Sequence, residues 1–472
     1  MLDALFSPES IAIVGATDGS TSTGAPKLGA AALEHLVAHG FKGEIYPVNP
    51  RLKTVFGYRC YPSVEEIPQD VDLALILVAA RHVIPTIRQC GKKNAKAAVV
   101  FSSGFAEAGE HSLEAELVSA CREENIRMCG PNTAGIVGNF ESFVASISMV
   151  CQLNPFKRGN IAFLTQSGAL GGSMLGRALE SGIGCSHWVA TGNEADLKLH
   201  DYMNHVIDDD RVKVLALFIE GVRDAEAFVQ ACRKAAQRKK PIVAYKTGLS
   251  EVSAKATASH TGAIAGSNRV FDAVCRQFGI IRVDDAAELL TVARTFSQTA
   301  GKYPQGRNIG IVSASGGICG VAADDCHTHG LAIPELPVEA QDRIREFVPE
   351  FAAVSNPIDV TGQIRSSATG YQDTVREVLR QDSIDAVLLL VTMAAEPRAS
   401  FYGVEIPRLA AESNKPVVVG WCGATSLATR GYPMLHDAGV PTFLSSNEAV
   451  KALAYLARYV EFQNRFASES AG

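Results

Sequence analysis

Short apolar runs rich in Val and Ile recur along the chain, each closing on small residues. The first are "IAIVGA" (11–16), "EIYPVNP" (44–50), "LALILVAA" (73–80) and "AAVVFSSG" (97–104), with helix-length segments such as 27–40 and 82–96 between them. Continuous apolar strands alternating with helices predict a parallel sheet covered on both faces. This series closes near "MCGPNTAGIVGNF" (128–140). A second runs through "GNIAFLTQSGALGG" (159–172), "VKVLALFIEG" (212–221) and "KPIVAYKTG" (240–248). A third runs through "NIGIVSASGGICG" (308–320), "DAVLLLVT" (385–392), "KPVVVGWCG" (415–423) and "PTFLSS" (441–446). The Gly/Pro-rich "TAGKYPQGRN" (299–308) reads as a linker, and a softer boundary lies near 145–158, where "NPFKRGN" breaks the pattern. The pattern predicts an α/β fold of three tandem parallel-sheet domains, residues 1–145, 146–298 and 299–472.

Composition narrows the class. The 472 residues are 47% hydrophobic and 20% charged, the balance of a soluble globular chain. A net charge of −6 argues against a general nucleic-acid surface. The 11 cysteines are scattered and form no CxxC pair, so neither a zinc ribbon nor a disulfide framework is expected. Free thiols point to a reducing, cytoplasmic setting. The N-terminus has no basic n-region, and no run is long enough to span a bilayer, so no membrane is expected.

Ligands of open α/β sheets bind beyond the carboxyl ends of strands, where helix N-termini offer free N–H groups to anions. Three glycine-rich strand ends stand there. In "VGATDGSTSTG", Gly15, Gly19 and Gly24 allow a backbone to approach a pyrophosphate, although the run is neither G-x-G-x-x-G nor a Walker A loop. After the next strand comes "VNPR", with Arg51 and Lys53, in place of the acid that takes a ribose diol. Cations there suit a phosphorylated adenosine, as in coenzyme A, better than NAD. In "TQSGALGG", Ser167, Gly168 and Ala169 open a helix toward an anion; Thr165 stands where a G-x-S-x-G nucleophile elbow has glycine. "SASGGICG" (313–320) repeats the small-residue turn.

Most histidines have plain readings. His35 and His39, four apart on a helix, read as solvent-facing, and His327 and His329 point in different directions. His260 differs. It lies in "TASHTGAIAG" (257–266), among small residues that leave an imidazole accessible. A neutral imidazole can attack a phosphoryl or acyl group, and a carboxylate on its other nitrogen orients it. Glu220, ending the apolar run "VLALFIE", is the candidate carboxylate.

The ordered motifs "SIAIVGATDGS", "IYPVNP", "FSSGFAEAGE", "CGPNTAGI", "LTQSGALGG", "TGNEADL", "FIEGVRD" and "ASHTGAIAG" resemble the α-subunit type of NDP-forming acyl-CoA synthetases, related to succinyl-CoA synthetase, over nearly the whole chain. The resemblance implies an N-terminal Rossmann-like CoA-binding domain followed by two flavodoxin-like ligase domains. It implies interconversion of acyl-CoA, ADP and phosphate with a carboxylic acid, CoA and ATP through an acyl phosphate and a phosphohistidine. His260 then matches the phosphorylated histidine, Glu220 its orienting carboxylate, and Ser167, Gly168 and Ala169 the helix start that holds the phosphoryl group. Gly15, Ala16, Thr17, Gly24, Asn49, Pro50, Ser103, Gly104 and Phe105 match positions near CoA, with Lys53 added from its charge. The family's ATP-grasp domain is not found in this sequence, so ADP or ATP and Mg²⁺ are expected on a separate ATP-grasp β-subunit in a hetero-oligomer, and no metal site on this chain. Gly172 aligns where succinate-specific relatives carry tyrosine, which suggests room for a bulkier acid. An acyl or carbamoyl transferase, or a non-catalytic CoA-binding regulatory protein, are the alternatives on this scaffold.

Overall fold

The computed structural model describes residues 2–19, 27–250, 252–253, 267–299, 301–367 and 369–471. His260 and Gly24 lie outside the described residues. The chain divides into two compact units, residues 1–290 and 291–472.

The first unit holds two sheets. The first sheet comprises β1 (Ser10–Val14), β2 (Glu44–Val48), β5 (Leu73–Ile76), β6 (Ala97–Val100) and β7 (Arg127–Cys129), all parallel, in the order β2-β1-β5-β6-β7. A two-stranded hairpin, β3 (Thr54–Val55) and β4 (Tyr58–Arg59), follows β2. The second sheet comprises β8 (Gly135–Gly138), β9 (Phe143–Ser146), β10 (Arg158–Thr165), β11 (Cys185–Ala190), β12 (Val214–Ile219), β13 (Ile242–Lys246) and β14 (Ile281–Val283). Its order is β14-β13-β12-β10-β11-β8-β9, with β8 antiparallel to both β11 and β9. The chain thus changes sheets after β7, and the run read as the close of the first series supplies β8, which pairs antiparallel with β11 in the second sheet.

The strands form where the apolar runs stand. Those of β5, β6, β11 and β12 are buried at every position, as a sheet covered on both faces requires. One core runs through both sheets, from Ile11, Leu75 and Val99 to Leu164, Tyr202 and Leu217, and a second cluster around Val64, Ile87 and Leu117 covers the other face of the first sheet. Each such Leu, Ile or Val contributes roughly 1.5–3 kcal/mol on burial. The shared core is why the first two sheets form one unit.

The second unit has a five-stranded parallel sheet, β15 (Ile309–Ser313), β16 (Ile358–Asp359), β17 (Ala386–Val391), β18 (Val417–Trp421) and β19 (Thr442–Phe443), ordered β16-β15-β17-β18-β19. Its core gathers Val312, Ile358, Val375, Leu389, Val419 and Trp421. The C-terminal helix Ser446–Ala471 covers β18, with Arg307 bonding Glu461 at 2.5 and 2.7 Å.

Counted along the chain within each sheet, the parallel strands take the order 2-1-3-4-5 in all three. Each sheet therefore has a topological switch between its first and third strands, where ligands of such sheets bind at the carboxyl ends.

Candidate active site

The carboxyl ends of β6, β7, β10 and β11 converge on a cavity of about 370 Å³ within the first unit. It brings together residues far apart in sequence. Ser103, expected near coenzyme A, and Ser167, Gly168 and Ala169, expected at a phosphate, line the same space. Phe101, Ala134 and Ile147 add an apolar wall, and Asn132, Gln166 and Asn193 bring polar atoms.

The phosphate side is built by the turn after β10. The Thr165 hydroxyl accepts from the Ser167 N–H at 3.1 Å and donates to the Ser167 carbonyl at 2.9 Å. Ser167 is the N-cap of the helix Gly168–Glu180, its side chain accepting from the Leu170 N–H at 3.4 Å. The first turn of that helix, with its orphan N–H groups and the positive end of its dipole, opens onto the cavity. The helix approaches β10 closely at Gly171, where a Cβ would stand 2.2 Å from Thr165 Cγ2, and Trp188 Nε1 donates to the Gly171 carbonyl at 3.2 Å. Gly172 is buried, and a Cβ there would meet Ser148 Oγ at 2.7 Å. It is not among the residues that line the cavity.

Glu220 follows β12, across the switch point from Ser167, and is half-buried. Its backbone N–H donates to Gln166 Oε1 at 2.6 Å, as does that of Gly221 at 3.0 Å. Gln166 Nε2 donates to the Gly221 carbonyl at 2.7 Å and to Glu194 Oε1 at 3.0 Å. Glu194 is buried, and burial pushes its carboxyl up to about 7 against the hydrogen bonds from Gln166 and Thr191 and the charge of Arg223. Lys246, buried and paired in register with Ile219, adds a cation one strand away from Glu220, its ammonium lowered by burial.

The coenzyme A candidates fall into two groups. Gly15, Ala16, Thr17, Asn49, Pro50 and Lys53 stand beyond β1 and β2, apart from the cavity lining. Gly15 has φ +93°, and a Cβ there would stand 2.7 Å from the Leu77 carbonyl oxygen. The N–H groups of Gly15 and Ala16 both donate to the Val48 carbonyl, at 3.0 and 3.2 Å, and Asn49 Nδ2 donates to the Ala16 carbonyl at 2.9 Å. These residues shape the turn; their N–H groups are not open to an anion. Pro50 and Lys53 are exposed. In the second group, Gly104 and Phe105 donate their N–H groups to Glu107 Oε1, at 2.5 and 3.2 Å. The Phe105 ring is fully buried in the core, which leaves Ser103, of these three candidates, lining the cavity.

Sequence reasoning missed the bridge between these loops. Asn193 Nδ2 donates to Glu107 Oε2 at 2.5 Å and to Glu114 Oε2 at 2.8 Å, tying the "TGNEADL" turn to the "FSSGFAEAGE" loop. Burial opposes ionisation of Glu107, yet the bonds from Asn193 and the Gly104 N–H hold its carboxyl below the usual range. The signal was present in the motifs, but pairing across 86 residues of sequence is not periodic. His35 and His39 do not face solvent: His35 Nδ1 meets the Ser146 carbonyl and His39 Nε2 the Cys151 carbonyl, each at 2.8 Å, because their helix packs on the edge of the second sheet. Every cysteine is free, and all but Cys422 are buried. Among the described residues no group of three or more His, Cys, Asp or Glu could hold a metal ion, and no helix is long and apolar enough to cross a membrane.

Residues 9–139 match the family of CoA binding domains, 158–296 the succinyl-CoA ligase like flavodoxin domain, and 309–465 the Ligase-CoA domain. The alpha subunit of ADP-forming acetate–CoA ligase II from Pyrococcus furiosus is 34% identical, over 96% of this chain and 97% of its own. ADP-forming acetate–CoA ligase I from Archaeoglobus fulgidus is also 34% identical, over 97% of this chain but 64% of its own length. Among solved structures, acetyl-coenzyme A synthetase 1 from Ca. Korarchaeum cryptofilum, in complex with phosphate and ADP, superposes with a TM-score of 0.91 at 30% identity, covering 100% of this chain and 99% of that one.

Proposed function

The chain belongs to the ADP-forming acetate–CoA ligase family, and from that premise we propose that it is the subunit that handles acyl-CoA and phosphate in an NDP-forming acyl-CoA synthetase. The observation that carries the reading is the cavity shared by Ser103 and the helix start Ser167–Gly168–Ala169, beside the strand end that bears Glu220.

The chemistry follows from the groups in place. Phosphate sits at the N-terminus of the helix Gly168–Glu180, where the dipole and free N–H groups neutralise it. A phosphate oxygen attacks the acyl carbon, the C–S bond breaks and the CoA thiolate leaves. A ring nitrogen of His260 then takes the phosphoryl group; the P–O bond to the acyl oxygen breaks and the carboxylate is released. Glu220 holds the imidazole so that the attacking nitrogen is unprotonated and the resulting positive charge is matched. The terminal phosphate oxygen of ADP finally takes the phosphoryl group from nitrogen, which regenerates His260. ADP and Mg²⁺ are held by a separate ATP-grasp β-subunit, so the working enzyme is a hetero-oligomer, and it acts in the cytoplasm. The exposed Lys53 suits the phosphorylated adenosine of CoA, and the Ser103 loop its pantetheine arm.

The reading is tested by supplying acetyl-CoA, ADP, Mg²⁺ and phosphate to the chain with and without a co-expressed ATP-grasp subunit. ATP formation that needs both chains is expected. Transfer of the acyl group to phosphate with no ATP from any pairing would favour a transferase.

A further inference from the structure

Gln166 spends its whole side-chain amide at the switch point of the second sheet. Oε1 accepts from the N–H groups of Glu220 and Gly221, and Nε2 donates to the Gly221 carbonyl and to Glu194, all within 3.0 Å. Its own N–H donates to the Phe218 carbonyl at 3.2 Å. Four side-chain bonds use both lone pairs and both donors of a primary amide, so the rotamer cannot change without stranding polar partners. Glu194 fixes the far end. Its Oε1 also accepts from the Thr191 hydroxyl at 2.9 Å, and its backbone has φ +54°. A buried carboxyl at a left-handed, non-glycine position costs stability on two counts, a combination that collects at functional sites. The turn that carries it is pressed against the loop after β7: the Asn193 N–H donates to the Pro131 carbonyl at 2.9 Å, and a Cβ at Gly192 would stand 2.4 Å from the same oxygen.

We propose that Gln166 and Glu194 are positioning residues of the phosphoryl-transfer site, Glu194 locking the Gln166 amide and Gln166 fixing the Glu220–Gly221 backbone. The pair sets the direction in which the Glu220 side chain leaves the end of β12. The assignment rests on the reading of Glu220 as the carboxylate that orients His260. Although Gln166 borders the cavity, its amide is fully committed to protein partners, so the pair is expected to act on the rate of phosphoryl transfer to the histidine rather than on acyl-CoA binding.

The test exchanges the two side chains. The full chain receives acetyl-CoA and radiolabelled phosphate, and alkali-stable label is followed over time. Gln166→Glu removes both donors and sets one carboxyl against another; its labelling rate is expected to fall at least tenfold, with half-saturation by acetyl-CoA within twofold of wild type. Adding Glu194→Gln returns a donor to the pair and is expected to restore the rate at least fivefold, a recovery that general destabilisation would not give. Gln166→Met deletes the four bonds without adding charge and is expected to show the same rate loss, which keeps the test open if Gln166→Glu folds poorly. Wild-type rates in Gln166→Met, or no recovery in the exchanged pair, overturn the proposal. Glu220→Gln separates the two readings. If it labels like wild type, or the wild-type chain takes no label, the underlying reading falls and the positioning role with it. If it labels a hundredfold more slowly while both Gln166 variants label normally, the positioning role alone falls.

Discussion

Ser167 and Glu220 stand at the carboxyl ends of the neighbouring strands β10 and β12, one capping a helix and the other following a strand. Both were legible in the sequence because each interrupts a run: a small polar residue before glycines, and an acid after six apolar residues. Gln166 and Glu194 were not, although each lies inside a quoted motif, "LTQSGALGG" and "TGNEADL". Their meaning lies in hydrogen bonds reaching 54 and 28 residues away, which no local pattern encodes. The roles predict different losses. Glu220→Gln removes the orienting charge and is expected to slow histidine phosphorylation about 10²–10⁴-fold, the scale on which a misoriented imidazole fails in other enzymes; rapid-quench labelling measures it, and a loss below tenfold would argue against the role. Ser167→Ala removes a cap and is expected to cost about 1 kcal/mol of stability, read from the urea midpoint.

At the scale of elements, apolar runs bounded by glycine foretold strand positions well, since both faces of these sheets are covered. The antiparallel pair β8–β9 was hidden. Its strands are four residues each, glycine stands at both ends of the first, and they pair with the sheet that follows them in sequence. Helix packing was hidden for the same reason: periodicity gives the apolar face and not what it meets. His35 and His39 show this, reading as solvent-facing yet bonded to carbonyls at the second sheet's edge. Gly171 carries an element-scale prediction. With Thr165 Cγ2 only 2.2 Å from the position of an added Cβ, Gly171→Ala must push the helix Gly168–Glu180 off β10. A destabilisation of about 1–3 kcal/mol is expected in calorimetry, together with slower labelling because the anion-binding helix start moves. An unchanged melting profile would mean the helix and strand part at no cost.

The first two sheets share one core, so the regions read from the sequence as domains 1–145 and 146–298 lie together in one compact unit, residues 1–290. That core carries a pH dependence. His187 is almost wholly buried, and burial, with His205 and Arg211 acting the same way, lowers its imidazole to about 4. The unfolded chain takes up a proton near 6.5, so stability is full above that value and is lost as pH falls from 6.5 towards 4. Between pH 7.5 and 5 this one group removes about 2 kcal/mol, and His35 and His205, lowered by burial too, act in the same direction. Urea titrations at the two pH values are expected to show the drop, and a smaller one in His187→Gln; equal drops would assign the effect elsewhere. The account's central claim, that His260 carries a phosphoryl group between acyl-CoA chemistry and a nucleotide, is tested most directly by intact-protein mass spectrometry. The chain is incubated with acetyl-CoA and phosphate, with and without an ATP-grasp subunit, and kept alkaline. A gain of one phosphoryl group that disappears in His260→Ala is the predicted result. A chain that gains none under any of these conditions, or a His260→Ala variant that gains it as the wild type does, would contradict the account.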